Sequence, residues 1–141
     1  MKHMVWAVDG SDCAWRAGEW ALEFLDKWPD LRLTAVYVHV PSVPTSEWTA
    51  EYAIQMEQEA KKLAHELREE VNRRFAAHAP RVAFRVEHGA PAERIVHAAD
   101  EVGADLVVIG SHGKRMVDRL FVGSVSTAVM HKAKQAVLVV R

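Results

Sequence analysis

Strand-sized apolar runs alternate with longer stretches of helical period from one end of this chain to the other, and no other feature restricts its architecture as much. Met4 to Val8 is a compact apolar run that stops at the turn cluster Asp9-Gly10-Ser11. From Ala14 to Trp28 the residues Ala17, Trp20, Ala21, Phe24, Leu25 and Trp28 recur at helical spacing, with Arg16, Glu19, Glu23 and Lys27 on the other face. This predicts an amphipathic helix capped by Ser11 or Asp12. Pro29-Asp30 breaks it, and Leu31 to Val40, rich in β-branched and aromatic residues, predicts a second strand. Pro41 to Thr49 reads as a surface loop. Its Trp48 has three open roles: covering a ligand, joining an interface, or folding back on its own loop. A long helix follows, with Met56, Ala60, Leu63, Ala64, Leu67, Val71 and Phe75 as its apolar stripe and an end near His78 to Pro80.

The second half repeats the pattern. Arg81 to Glu87 alternates Val82, Phe84 and Val86 with Ala83 and Arg85, as a strand near a sheet edge does. Gly89-Ala90-Pro91 turns the chain and sets Pro91 at the first position of a helix. That helix runs to about Val102 and stops at Gly103. Leu106 to Ile109 is uniformly apolar, which fits a strand covered on both faces. Gly110 to Gly123 is a loop, Ser124 to Ala133 a short helix and Ala136 to Val140 a last strand. Five strands alternating with four helices predict an α/β fold, a parallel sheet with right-handed crossovers and helices on both faces. No linker or low-complexity segment interrupts it, so residues 1–141 are expected to form one domain.

Charge and length exclude several classes of function. The chain has 18 Lys and Arg against 19 Asp and Glu, a net charge of -1, and no long block of one sign. Neither a nucleic acid nor an anionic membrane is an expected partner. Its longest apolar stretches fall far short of the roughly 18 residues a membrane helix needs. The N-terminus reaches Asp9 too soon to hold the apolar core of an export signal, so a cytoplasmic location is the expectation. A single cysteine, Cys13, precludes an internal disulfide framework. At 141 residues the fold can bury roughly 68–70% of its unfolded surface without such staples.

In an open parallel sheet, ligands bind outside the carboxyl ends of the strands where the winding direction reverses. Two strand ends stand out, Asp9-Gly10-Ser11 after the first strand and Gly110-Ser111-His112-Gly113 after the fourth. Both strands are short and apolar, as central neighbours are, so their loops are expected to share one cleft. Gly110 and Gly113 would let backbone N–H groups approach phosphate oxygens. Gly123-Ser124 opens the last helix, whose free N–H groups and dipole favour an anion. The hydroxyls of Ser124 and Ser126 would add donors, and Lys114, Arg115 and Arg119 lie between the two glycine anchors. Neither a Gly-x4-Gly-Lys-Ser/Thr loop nor a Gly-x-Gly-x2-Gly turn follows the first strand, which argues against a P-loop hydrolase and an ordinary dinucleotide dehydrogenase.

The spacing Gly110-x2-Gly113-x9-Gly123-Ser124 resembles the universal stress protein family, in particular its ATP-binding branch. Val8-Asp9-Gly10-Ser11, His39-Val40, Gly89-Ala90-Pro91 and Val137-Leu138-Val139-Val140-Arg141 extend the resemblance over essentially the whole chain, with Ala136 standing where that family commonly has Pro. The resemblance implies a Rossmann-like sheet of the adenine nucleotide alpha hydrolase type, in strand order 3-2-1-4-5, with ATP in the cleft. Position by position it implies Asp9 at the adenosine end with Ala7 and Val40, and Ile109 with Gly110 lining the nucleoside. Gly113, Gly123, Ser124 and Val125 would hold the phosphates, with His112 and Lys114 nearby; Ser11 completes the set. Mg²⁺ or Mn²⁺ would be held through the phosphates.

Other candidates resolve into structural roles. Asp9 has no second acid in a matching loop to form a general acid/base pair, and reads as a ligand-orienting or turn-capping residue. The eight histidines show no zinc-ligand spacing, so no dedicated metal site is expected. Cys13 has no resolving partner and reads as a buried filler, and Trp20 and Trp28 as part of the first helix's apolar stripe. The last strand is uncharged until Arg141, an edge that tends to associate unless paired. Both the edge and the resemblance imply a homodimer through Ala136 to Arg141. The expected function is an ATP-dependent stress-response switch without a catalytic residue. The alternatives are a slow ATPase or phosphotransferase, and a binder of AMP or cyclic AMP.

Overall fold

A computed structural model describes residues 1–113 and 122–141. Its elements are β1 (His3–Ala7), α1 (Asp12–Lys27), β2 (Arg32–His39), α2 (Ala50–Arg74), β3 (Val82–His88), α3 (Pro91–Glu101), β4 (Leu106–Gly110), α4 (Ser124–Lys132) and β5 (Ala136–Val140). The strands form one sheet in the order β3-β2-β1-β4-β5. Every neighbouring pair is parallel. The winding therefore reverses between β1 and β4, the two strands read from their apolar runs as central.

Two cores flank the sheet. On one side Met4, Trp6, Leu33, Ala35 and Tyr37 pack against α1 and α2 through Ala17, Ala21, Leu25, Leu67, Val71 and Phe75. On the other, Val5, Ala7, Val36, Val107 and Ile109 meet α3 and α4 through Ile95, Ala98, Ala99 and Val129. Alternate residues of each central strand thus feed opposite cores. Trp6 decides how close α1 can come: it is fully buried, its indole N–H donates to the Ala14 carbonyl at 2.9 Å, and a Cβ on Gly18 would stand 2.6 Å from its ring.

That close approach corrects the apolar stripe expected for the first helix. Only small residues and Leu25 fit beneath α1, so Ala14, Ala17, Gly18 and Ala21 are buried, whereas Trp20 and Trp28 remain 45% and 42% exposed. The two tryptophans stack along an outer flank through Phe24, at 6.1 and 5.4 Å between ring centroids. Ser11, not Asp12, is the cap, accepting from the Ala14 N–H. The long helix also ends earlier than its stripe suggests, at Arg74, and a 3-10 segment, Ala76–Arg81, carries the chain to β3. Arg81 closes that segment instead of opening the strand. Its guanidinium donates to the Leu25, Trp28 and Leu31 carbonyls, tying off the C-terminus of α1. Trp48 folds back on its own segment, edge-on to Tyr52 with centroids 4.7 Å apart. β5 begins at Ala136 without the proline and pairs Leu106 with Ala136.

Candidate functional site

The carboxyl ends of β1, β2 and β4 open into a cavity of about 540 Å³. Ala7 and Asp9 come from β1 and its turn, Val40 from the end of β2, Ile109 and Gly110 from β4, His112 and Gly113 from the following loop, and Gly123, Ser124 and Val125 from the start of α4. Ser11 completes the wall. Of the residues expected from the sequence, Lys114 lies outside the described residues, as do Arg115 and Arg119. Ser126, an expected donor, also lines the cavity, and six further residues join it: Val8, Ala14, Val36, Val38, Pro91 and Ile95. Val36 and Val38 share a face with Val40 because a strand's side chains alternate. The period-two alternation of the second strand together with the expected strand order is the signal that points to both.

One end of the cavity is apolar and the other is rich in N–H donors. At the apolar end, Val36, Val38, Ile95 and Ile109 surround Ala7. At the polar end Gly123 precedes α4 and offers no side-chain cap, and the first bond into the helix is Thr127 N–H to the Gly123 carbonyl at 3.0 Å. The N–H groups of Ser124, Val125 and Ser126 therefore have no helical acceptor, which leaves the positive end of the helix dipole open for an anion. Asp9 fixes the opposite rim: its Oδ1 accepts from the Ser11 N–H at 2.8 Å, over Gly10 at φ +82°. Its Oδ2 faces Gly113, where a Cβ would stand 3.2 Å away.

Comparison with known proteins identifies the pattern. The model of the universal stress protein family matches residues 1–141. The chain is 30% identical over 147 aligned positions to the universal stress protein MJ0531 of Methanocaldococcus jannaschii, covering 99% of this chain and 82% of that one. The chain belongs to the universal stress protein family. Among solved structures, the universal stress protein UspA from Lactobacillus plantarum superposes with a TM-score of 0.84 at 25% identity, covering 99% of this chain and 97% of that one. A universal stress protein in complex with cAMP superposes at a TM-score of 0.68 and 26% identity, with 99% and 97% covered.

In this universal stress protein the glycines do different work, and one expectation needs correcting. Gly110 does not clear space for a phosphate. A Cβ there would meet the Cys13 backbone and Cβ at 2.8 Å and Ala14 N at 2.9 Å, so its role is to let β4 pack against the start of α1. Gly123 closes the loop, with its N–H on the Ser111 carbonyl, and a Cβ there would come within 3.1 Å of that oxygen. Gly113 is the one of the three whose added Cβ would point at the cavity rim, toward Asp9. Ser126 is also not a free donor: it is 2% exposed, and its hydroxyl sits 2.8 Å from the Ser111 carbonyl and 3.0 Å from that of Gly123. His112 borders the cavity but is held from beneath, with Nδ1 at 2.9 Å from the Ser111 hydroxyl and both ring nitrogens 3.4 Å from Cys13 Sγ.

A separate polar cluster lies outside the cavity, where ligand atoms of Glu87, His97 and Glu101 gather within 4.8 Å of one another. Guanidiniums already occupy its carboxylates. Arg85 binds both Glu87 and Glu101, and Arg94 reaches Glu87 at 3.4 Å. The Arg85 hydrogen bond holds the Glu101 carboxyl below its ordinary range. The cluster is an ion-pair network across β3 and α3. Among the described residues no helix is long and apolar enough to cross a membrane.

Proposed function

We propose that the cavity binds an adenine nucleotide, ATP in the first instance, and that the protein is a cytoplasmic stress-response switch whose surface or partners change with nucleotide occupancy. One observation carries this reading: the uncapped N-terminus of α4 and the apolar wall of β2 and β4 border the same cavity. An adenine needs flat apolar walls, and Ala7, Val36, Val38, Val40 and Ile109 supply them. Phosphates need converging N–H donors, which Ser124 and Val125 supply at the start of α4, opposite Gly113 with no Cβ in the way. Ser11 and Asp9 shape the rim between them, and Ile95 and Pro91 close the side. His112, braced by Ser111 and Cys13, would stand at the phosphates, and Lys114 would add charge.

Asp9 is the single carboxylate lining the cavity among the described residues, and its Oδ1 is engaged by the Ser11 N–H. A Mg²⁺ or Mn²⁺ ion would therefore enter on the phosphates. No second carboxylate stands beside Asp9 in the lining among the described residues to form an acid/base pair, which favours binding over rapid turnover. We also propose a homodimer through the open edge of β5, which pairs only with β4 among the described residues.

The cAMP complex of a relative motivates a second reading, a cyclic nucleotide as ligand. Calorimetric titration with ATP, AMP, cyclic AMP and GTP separates the two. ATP binding at one per chain, with GTP much weaker, supports the first reading; cyclic AMP binding preferred over ATP moves the assignment to the second. No saturable binding of any of the four contradicts both. Steady-state ADP release in the same samples should stay below one turnover per minute, and fast turnover abolished by Asp9→Asn would establish an enzyme instead.

A further inference from the structure

Strand β2 has a second face. Its odd-numbered neighbours Tyr37 and His39, with Pro41 beyond, point away from the nucleotide cavity and line another of about 500 Å³, between β2, β3 and the middle of α2. The space exists because α2 packs tightly only at its far end. Leu67, Val71 and Phe75 reach the core, whereas Ala60 and Ala64, on the same stripe one to two turns earlier, are too small to fill the gap above Val86.

Three observations say what this space would hold. Tyr37 is only 8% exposed and lines the cavity, yet its hydroxyl has no hydrogen-bond partner among the described residues. Its O–H is therefore free to donate to an occupant of the cavity. Burial first, and the nearby Asp9 charge second, push its pKa up, so it remains a neutral donor at neutral pH. The second observation is charge. Arg68, exposed on one side to solvent, lines the same cavity with its guanidinium over the Phe84 ring at 5.0 Å and has no carboxylate partner among the described residues, while Glu57, the carboxylate in the lining, is matched by Lys61 at 3.4 Å. One unmatched cation and one neutral O–H donor suit a single negative charge. The third is the wall: Val86, Ala60 and Ala64 are apolar, and the rings of His39 and His88, 5.7 Å apart, line one side.

We propose that this cavity is a second ligand site, for a small organic carboxylate with a compact apolar or aromatic body, its carboxylate held by Arg68 and the Tyr37 hydroxyl. The site is independent of whether the first cavity binds a nucleotide.

The test uses the full chain and 2-naphthoate at pH 8, followed by calorimetry and by amide shifts, with phenyl phosphate as the dianionic probe. The expected result is saturable binding of one naphthoate per chain, weakened about tenfold in Arg68→Met and in Tyr37→Phe. Both variants keep the apolar bulk of the residue they replace, and thermal melting checks that they fold. Phenyl phosphate should bind more weakly than naphthoate, and ATP should not displace either. Absence of saturable naphthoate binding, affinity unchanged in both folded variants, a preference for the phosphate, or displacement by ATP would each overturn the assignment.

Discussion

The two cavities stand back to back across β2 and are similar in size, about 540 and 500 Å³, but they are built from different materials. The first takes its polarity from the main chain. Its donors are the N–H groups at the start of α4, and its glycines matter for what they keep out of the way. The second takes its polarity from side chains, Tyr37 and Arg68, carried by a strand and a helix. A site made of backbone needs particular residues at fixed spacings, because only glycine permits the close approach found at Gly110, and any larger residue at Gly123 is crowded against Ser111. A site made of side chains leaves no such imprint, since Tyr, Arg, His and Ala each have ordinary reasons to occupy a strand or a helix.

The difference can be broken by single substitutions. The largest effect is expected at Gly113→Val, which puts a branched side chain against Asp9 in the mouth of the first cavity. Nucleotide affinity should fall by about 100-fold or more, some 2.7 kcal/mol, while naphthoate binding and far-ultraviolet circular dichroism stay as in the parent. Retained nucleotide affinity would remove the glycine-lined cradle from the account. Next comes Ala64→Leu, which fills the second cavity. Naphthoate affinity should drop about tenfold, with thermal stability unchanged or higher by about 0.5–2 kcal/mol and nucleotide titrations unaffected.

A smaller effect is expected where the first cavity meets α1. Ser11→Ala removes the N-cap bond to Ala14, and denaturant unfolding should show a loss of about 1 kcal/mol. The least effect on either cavity is expected at the amino ends of the strands. His3 bonds Thr34 through Nε2 at 2.8 Å, and burial, with Arg32 second, lowers its pKa below 6.5 against an opposing pull from Asp105. Its contribution to stability is complete above pH 6.5 and is lost as pH falls through the folded value. His3→Gln should therefore flatten the decline of Tm just below pH 6.5 and leave both ligand affinities at pH 7.5 untouched.

The same contrast explains which parts of the molecule are legible in its sequence. The strand and helix alternation foretold the parallel sheet, because apolar runs such as Leu106 to Ile109 have few other uses. The spacing from Gly110 to Ser124 marked the first cavity's polar end. The order of the strands and the adenine-side walls came from family resemblance, since no local pattern says that β2 borders β1. Roles were harder to read than places. Gly110 was in the right position for a different reason, and Ser126 was a donor already spoken for. Trp20 and Trp28 fitted the helical period, yet the bulk of Trp6 beneath α1 forces them outward. The second cavity was invisible because its depth depends on Ala60 and Ala64 facing Val86 across chain segments far apart in sequence.

The central claim, that the backbone-built cavity is an adenine nucleotide site, is tested most directly by denaturing purified protein after incubation with an equimolar mixture of ATP, AMP, cyclic AMP and GTP, followed by desalting, and weighing what is released. Adenine nucleotide at close to one per chain, lost in Gly113→Val, is the predicted result. Release of no nucleotide, or of GTP in equal measure, would contradict it.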